Sequence, residues 1–489
     1  MFALYLLTLK QGAMKNENSN KKLTGNKKNV NQDTSKTFME MPIVNLKAAG
    51  VDVGSRSYFV CVGQGANDVR EFGIFTCDLH EIALYLRNLG VQTVAMESTG
   101  FYWKQLFVLL QDYGLEVILV NARHIKNVKG RKTDVVDSRW IQLLHSLGLL
   151  SASFQPDLMT EELRTYTRQR QYLIQHASQQ VLKMNKNLTL MNLQLKPVLR
   201  DLVGLSGRTL IEAILNGKRD PQYLASLIHP SCKHPTNDFV NALDGNYREE
   251  YLFELQQSYD SYKHFQHQVE ECDLKINLLL QRSVEIKDNY PPQIYSSAEK
   301  KASKYIPPKN INYKNCPPTQ MAEYVYHLSG VELLNIPGVN TGTILTLISE
   351  VGLDLSKFKT AKHFTSWLGL SPNNRITGGK IISSHTDSKK NRIALAFRDA
   401  ANSLDRIVID NQLKSFFKRL SAKKSRLVAI TATARKIAII VWNMLTKKEE
   451  YNPLATARNE EFLRKKKMKS IQRFINEYGI KQNELAFIL

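Results

Sequence analysis

The sequence predicts an α/β domain near the N-terminal end, a helical coiled-coil middle and a mainly α C-terminal region. Three observations carry that expectation. Between Asn45 and Asn121, short β-rich runs alternate with helical patterns. From Thr160 to Leu195, and again from Leu252 to Leu280, apolar residues recur every three or four positions. From Val331 onward, amphipathic stretches are punctuated by Pro-Gly, Gly-Gly and Ser/Thr-rich segments.

Residues 1–43 come first. Met1–Leu9 is apolar but too short to span a bilayer. The segment from residue 10 to residue 43 is rich in Asn, Lys, Ser and Thr, the composition of a disordered basic arm. A domain is expected over 44–155. LKAAGVDVG, SYFVCVG and VREFGIFT read as a three-strand meander, HEIALYLRNLG as a helix and VQTVAMES as a strand. FYWKQLFVLLQDYG reads as a second helix ended by Gly114, and LEVILVN as a further strand. That order is the order of an RNase H-like (RuvC-like) fold, in which the first and fourth strands lie side by side.

The middle region, 156–328, holds two long amphipathic stretches. They suit an antiparallel coiled coil, a dimer seam or an ordinary helical hairpin. Short helices and loops are expected between them, and a Lys/Asn/Tyr/Pro linker from Val284 to about Thr319. Residues 329–446 read as helix, Pro-Gly turn and helix in LLNIPGVNTGTILTLISEVG, then a helix, then a Gly/Ser/Thr-rich loop, SPNNRITGGKIISSHT. Two long helices, NRIALAFRDAANSL and SRLVAITATARKIAIIVWNML, complete the region. Residues 447–489 form a basic tail containing LRKKKMK.

The chain has 489 residues, with 67 Lys+Arg against 45 Asp+Glu and a net charge of +22. Such a balance calls for a polyanionic partner, nucleic acid first. The five cysteines, Cys61, Cys77, Cys232, Cys272 and Cys316, form no CxxC pair. A disulfide framework or zinc site is therefore not expected, and a reducing cytoplasm fits.

Against this basic background, four carboxylates stand out. Asp52 closes the first strand and Glu97 the fourth; Asp134 and Asp137 sit three residues apart at the start of an amphipathic helix. Singly, each is an ordinary strand-end acid or a helix-dipole partner. Together, in this order, they are expected to converge on hard divalent cations, Mg²⁺ or Mn²⁺. His124, Lys126, Lys129, Arg131 and Lys132 directly precede the Asp pair and form either a solvated loop or a phosphate-holding one. Ile336, Pro337 and Gly338 resemble the hairpin of helix-hairpin-helix modules, where backbone N–H groups hold phosphate. In the later loop, Arg375, Gly378, Gly379 and Lys380 surround hydroxyl groups. That segment reads equally as a plain turn or as a nucleophile loop.

The whole pattern resembles the DEDD transposases of the IS110 insertion-sequence family, also called bridge recombinases, and the related Piv-type DNA invertases. GVDVG, AMESTG, GRKTDVVDSRW, IPGVNTGTILTLISEVG, WLGLSPNNRITGGK and NRIALAFRDAA carry the resemblance. It implies that the RuvC-like domain binds Mg²⁺ through Asp52, Glu97, Asp134 and Asp137. It implies a C-terminal transposase domain that supplies a serine nucleophile and becomes transiently phosphate-linked. It further implies donor and target DNA as substrates, a non-coding guide RNA, and a composite site between subunits of a homodimer or homotetramer. The localisation implied is cytoplasmic, bacterial and nucleoid-associated, with no membrane. Lys126, Lys129, Arg131, Lys132, Gly338, Arg375, Gly378, Gly379, Lys380 and Arg392 are the expected nucleic-acid contacts.

One departure stands in the nucleophile loop. The family loop reads Ser-Ser-Gly-Gly, whereas here the residues are Ile376, Thr377, Gly378 and Gly379. Thr377 is the expected nucleophile, with Ser371, Ser383 and Ser384 as alternatives. The N-terminus also exceeds the family pattern, so Met14 or Met41 is a candidate start. A Piv-type invertase, a RuvC-like hydrolytic nuclease and a non-catalytic nucleic-acid-binding protein are the competing functions.

Overall fold

The computed structural model describes residues 42–63, 68–121, 134–289, 315–386, 391–407, 411–453 and 458–479. They fall into two compact units, divided between Gln155 and Pro156.

The first unit is built on strands β1 (Ala48–Val53), β2 (Tyr58–Cys61), β3 (Val69–Phe72), β4 (Thr93–Glu97) and β5 (Glu116–Val120). Their order is β3-β2-β1-β4-β5. The first three run antiparallel in a meander, while β4 pairs parallel to both β1 and β5. A mixed sheet of this order, with its central strands buried on both faces, is an RNase H-like α/β domain. Helices α1 (Thr76–Asn88) and α2 (Trp103–Asp112) cover one face. Ile82, Leu86, Leu106 and Leu110 join Val51, Val94 and Met96 in that core. Helix α3 (Asp134–Ser146) covers the other face, where Trp140, Ile141 and Leu144 pack with Ala95 and Val120.

Gly50 decides how closely α3 lies on β1. A Cβ there would stand 2.3 Å from the Gln142 backbone nitrogen and 2.5 Å from the Ser138 carbonyl. No side chain larger than hydrogen fits, so helix backbone rests on strand backbone. Gln142 Nε2 fastens the contact by donating to the Ala48 carbonyl at 3.2 Å.

At the far end of α3, buried His145 shares a 2.9 Å hydrogen bond with Thr93 Oγ1. Burial pushes its imidazole down to about 4. The unfolded chain therefore binds the extra proton between about pH 6.5 and 4, and this contribution to stability is complete above that window and lost as pH falls through it. The loss from this group should reach up to about 3 kcal/mol. The protection factors of the β1 and β4 amides, corrected for the intrinsic pH dependence of exchange, should fall as pH drops through the window, and His145→Gln should flatten the dependence. An unchanged profile in the variant would remove His145 from this role.

The second unit begins with α4 (Leu158–Leu190), which packs along α8 (Glu249–Asn289). Arg170 meets Asp273, and further along α4 the His176 ring lies 5.6 Å from that of Phe265, so the pair is antiparallel. Their apolar seam closes within the chain through Leu163, Leu173, Leu255 and Leu280. Further along, α5 (Leu205–Leu215), α6 (Pro221–Ser226) and α7 (Thr236–Ala242) share one core with α4 and α8, where Leu210, Leu224 and Phe239 join Met184, Leu188 and Leu255. The segment expected as linker from Val284 is helical as far as Asn289; residues 290–314 lie outside the described residues.

Helix α9 (Thr319–Ser329) ends at Gly330 in the left-handed region. Only a single 3₁₀ turn, Leu333–Asn335, precedes the Pro-Gly turn, where a full helix was expected. The Glu332 side chain caps Leu334 N–H and Pro337 follows at once, leaving no room for a longer helix. Next come α10 (Thr341–Val351) and α11 (Ala361–Trp367). The expected Gly/Ser/Thr loop is a β-hairpin of β6 (Arg375–Thr377) and β7 (Lys380–Ser383). The unit continues with α12 (Arg392–Ser403), α13 (Gln412–Lys423) and α14 (Arg426–Lys447), and α15 (Arg458–Tyr478) comes last. Helix α13 was not expected from the sequence.

Residues 156–328 and the region after them share this unit through Glu350. Its carboxylate accepts two hydrogen bonds from Arg168 at 2.9 and 2.7 Å, and its carbonyl accepts one from Arg164 at 2.6 Å. Among the described residues, α14 is the helix long and apolar enough to cross a membrane by length and composition, where the sequence suggested no such segment. It buries Ala434, Ile437, Ala438 and Val441 and packs against α11, α12 and α13, the pattern of a core helix.

Candidate active site

Asp52 and Glu97 come together through register. Gly50 pairs with Ala95 and Val51 with Met96 on the parallel strands β1 and β4. One step further along each strand lie Asp52 and Glu97. Side chains alternate along a strand, so both carboxylates belong to the face of Gly50 and Ala95, the face that α3 covers. The apolar residues between them, Val51, Val53 and Met96, belong to the opposite core.

Helix α3 brings its first turn to the same edge. Gln142 and Ser138 cross β1 at Gly50, with the helix running opposite to the strand. Four helical residues rise about 6 Å, nearly the span of two strand residues. The helical position one turn before Ser138, residue 134, therefore stands level with Asp52. Asp137 lies one turn before Ile141, which packs with Ala95, and so stands on the side of Glu97. The side chain of Asp134 lies outside the described residues, as do residues 122–133 with His124, Lys126, Lys129, Arg131 and Lys132.

Glu97 is 6% exposed. Thr99 Oγ1 donates to its Oε1 at 3.1 Å, and the Ser98 N–H donates to the Val120 carbonyl at 3.0 Å, fixing the strand end. Thr99, Ser138 and Gly50 shape this site although sequence reasoning did not single them out. The one available signal was a glycine inside an otherwise apolar strand.

Among the described residues, no group of three His, Cys, Asp or Glu side chains stands close enough to hold a metal ion. The donor chemistry nonetheless fits a hard cation. Asp52, Glu97 and Asp137 offer only carboxylate oxygens, and a nearly buried carboxylate such as Glu97 needs compensating positive charge or hydrogen bonds.

The remaining expected site residues lie in the second unit. Gly378 and Gly379 form the two-residue hairpin turn, with φ of +55° and +76°. Two successive left-handed residues define a type I′ turn, which glycine adopts without strain. Thr377 sits just before it, paired with Lys380, and both are exposed. The Arg375 side chain lies outside the described residues. Of the alternative hydroxyls, Ser371 shares a 3.0 Å hydrogen bond with Thr365, Ser383 pairs with Arg375 at the base of the hairpin, and Ser384 comes directly after β7.

Two other expected contacts have structural partners. Gly338 (φ +86°) backs onto α12, where a Cβ would stand 2.4 Å from the Ala400 carbonyl. Arg392 reaches Gln171 and lies 3.8 Å from Glu350.

Two family models match the chain. A transposase model of the DEDD IS110 type covers residues 49–193, and one described as transposase IS116/IS110/IS902 family covers residues 331–416. No individually curated protein matches it. The first match spans the RNase H-like domain with its carboxylate edge; the second spans the Pro-Gly turn, the Thr377 hairpin and α12. Fold and matches together define a DNA transposase, an enzyme whose substrate is DNA. Within that class the two matched segments are similar to the DEDD transposases of the IS110 family.

Proposed function

We propose that this transposase cuts and rejoins DNA strands with Asp52, Glu97, Asp134 and Asp137 as ligands for Mg²⁺ or Mn²⁺ and Thr377 as nucleophile. The observation that carries this reading is the adjacency of Asp52 and Glu97 on the sheet face covered by the helix that opens with Asp134. A divalent ion bound there would polarise the scissile phosphate. The Thr377 oxygen forms a bond to phosphorus as the bond to the departing strand's oxygen breaks, and a carboxylate takes the threonine proton. Lys380, next to the hairpin turn, would offset charge on the phosphate, and nothing within 4 Å of Gly378 and Gly379 would obstruct its approach.

The acids and Thr377 occupy different units. From the family resemblance, the reading includes a composite site assembled from two copies, in a homodimer or homotetramer. A non-coding guide RNA that selects donor and target DNA completes it, on the strength of the family resemblance and the net charge of +22. The test is strand cleavage and joining on DNA carrying the element ends, with Mg²⁺, with Mn²⁺ and with chelator. Cleavage that persists in chelator would sink the metal assignment, and cleavage without joining would favour a hydrolytic nuclease.

Lys129, Arg131 and Lys132, which directly precede Asp134 in the sequence, are proposed phosphate contacts. Converting all three to Ala should weaken binding to every DNA sequence alike. The slope of log K against log salt should become shallower by about 0.9 per lost contact. A slope unchanged in fluorescence anisotropy titrations would show these charges to be solvated surface only.

A further inference from the structure

At the carboxyl edge of β1 and β4, the chain leaves Glu97 through Ser98, Thr99 and Gly100 into two aromatic residues that the mechanism does not use. Phe101 is 76% exposed and Tyr102 is 40% exposed. Their ring centroids lie 4.7 Å apart. They form one wall of a cleft of about 490 Å³, whose lining includes Tyr58, Ile74, Gln105 and Asp112. Ser55, on the same cleft, lies three residues after Asp52, and Phe101 lies four after Glu97. Chain length alone keeps the Cα atoms of Ser55 and Phe101 within about 14 Å of those of the two acids.

The turn carrying the rings is fixed. Tyr58 Oη donates to the Tyr102 carbonyl at 2.9 Å, and Trp103 Nε1 donates to the Gly100 carbonyl at 3.2 Å. Gly100 takes φ +54°, which favours glycine. An exposed phenylalanine held this way meets no packing need of the sheet, since the core beneath it closes with Leu106 and Leu110.

We propose that this cleft takes an unstacked nucleobase of the DNA strand whose backbone lies at Asp52 and Glu97, with Phe101 as its stacking face. The inference rests on the reading of those carboxylates as the cutting site. Three features favour a base over a protein partner. The patch is concave and of small-molecule size. Its aromatic face is sequence-tolerant and preorganised. Gln105 and Asp112 bring an amide and a carboxylate to the same cleft, able to meet donors and acceptors on a base edge. The cleft lies between α1 and α2, on the sheet face opposite α3, so the DNA strand would cross the carboxyl edge of the sheet from the acids to the cleft, along the turn of residues 98–101 that joins them.

The test uses the full-length protein and a fluorescently labelled forked DNA of mixed sequence, with 5-iodouracil placed singly along its unpaired arm. Irradiation should give a cross-link that peptide mapping assigns to Phe101 or Tyr102. Phe101→Ala should weaken binding of the fork by about 5- to 100-fold, and Phe101→Trp should restore it. An abasic site at the cross-linking position should cost the wild type as much and the Phe101→Ala protein nothing further. Cross-links confined to other regions, or additive losses, would overturn the proposal. So would a fall in oligomeric mass with DNA affinity unchanged, which would make the patch a contact between copies. These readouts concern binding, so they separate from the carboxylate reading, which fails instead if Asp52→Asn cuts DNA normally.

Discussion

Asp52→Asn should lower Mg²⁺-dependent DNA cleavage by about 10³-fold or more, since a metal-held carboxylate contributes several kcal/mol at 1.36 kcal/mol per tenfold. Glu97→Gln should do the same, because its carboxylate occupies the adjoining strand at the next register step. Both variants keep the size of the side chain, so the sheet should remain intact. A second readout separates ligand loss from misfolding. Mg²⁺ should raise the melting temperature of the wild type by mass action on the folded state. That shift should vanish in Asp52→Asn, while melting without the ion stays level or rises as charge is removed between neighbouring acids. Glu116→Gln, exposed at the opposite end of the sheet, serves as the control and should change neither. Full cleavage by Asp52→Asn, with the Mg²⁺ shift intact, would remove this residue from the site.

Thr377→Ala should abolish the covalent protein–DNA adduct and strand joining together, whereas Thr377→Ser should preserve both. The hairpin gives the reason. Thr377 stands at its tip, exposed, beside two glycines around which a phosphate meets no Cβ. Ser371 is engaged with Thr365, and Ser383 and Ser384 lie nearer the base of the hairpin. Trapping the complex with a suicide DNA substrate and mapping the modified peptide by mass spectrometry gives the answer directly. An adduct on Ser371, Ser383 or Ser384 would transfer the role to that residue. Cleavage that proceeds without any adduct in Thr377→Ala would mean water is the attacking group.

The elements of the first domain were legible because each has a strong local cause. β1 and β4 are short apolar runs with an acid at or near the end, Gly114 stops α2 in the left-handed region, and the order of strands and helices admits few topologies. The long helices of the second unit were equally visible in their periodicity. Less legible were segments whose form depends on neighbours. The Thr377 hairpin reads as a loop in composition; Gly378-Gly379 flanked by β-branched residues was the signal for a type I′ turn. Helix α13 has an N-cap in Asn411 and a buried face in Leu413 and Phe417, but its stretch is short and strongly basic. Arg170 fell on the apolar seam of α4, where its ion pair with Asp273 and its hydrogen bond to the Asn315 carbonyl at 3.1 Å compensate the buried charge.

Sequence by itself determined the strand order and the alternation of faces and singled out the four carboxylates, because period-two patterning and turn residues act over a few positions. It could not say which glycines serve backbone packing. Gly338, expected as a phosphate contact, also lies where a Cβ would strike the Ala400 carbonyl, and Gly50 lies where one would strike α3. Those partners are 62 and about 90 residues away in the chain, at Ala400 and at Ser138 and Gln142. Close approach between distant backbones is set by how whole elements pack, and no local pattern encodes it. Tertiary packing alone therefore placed α3 against β1, brought its first turn level with Asp52, and turned three arginines, Arg164, Arg168 and Arg392, inward on Glu350.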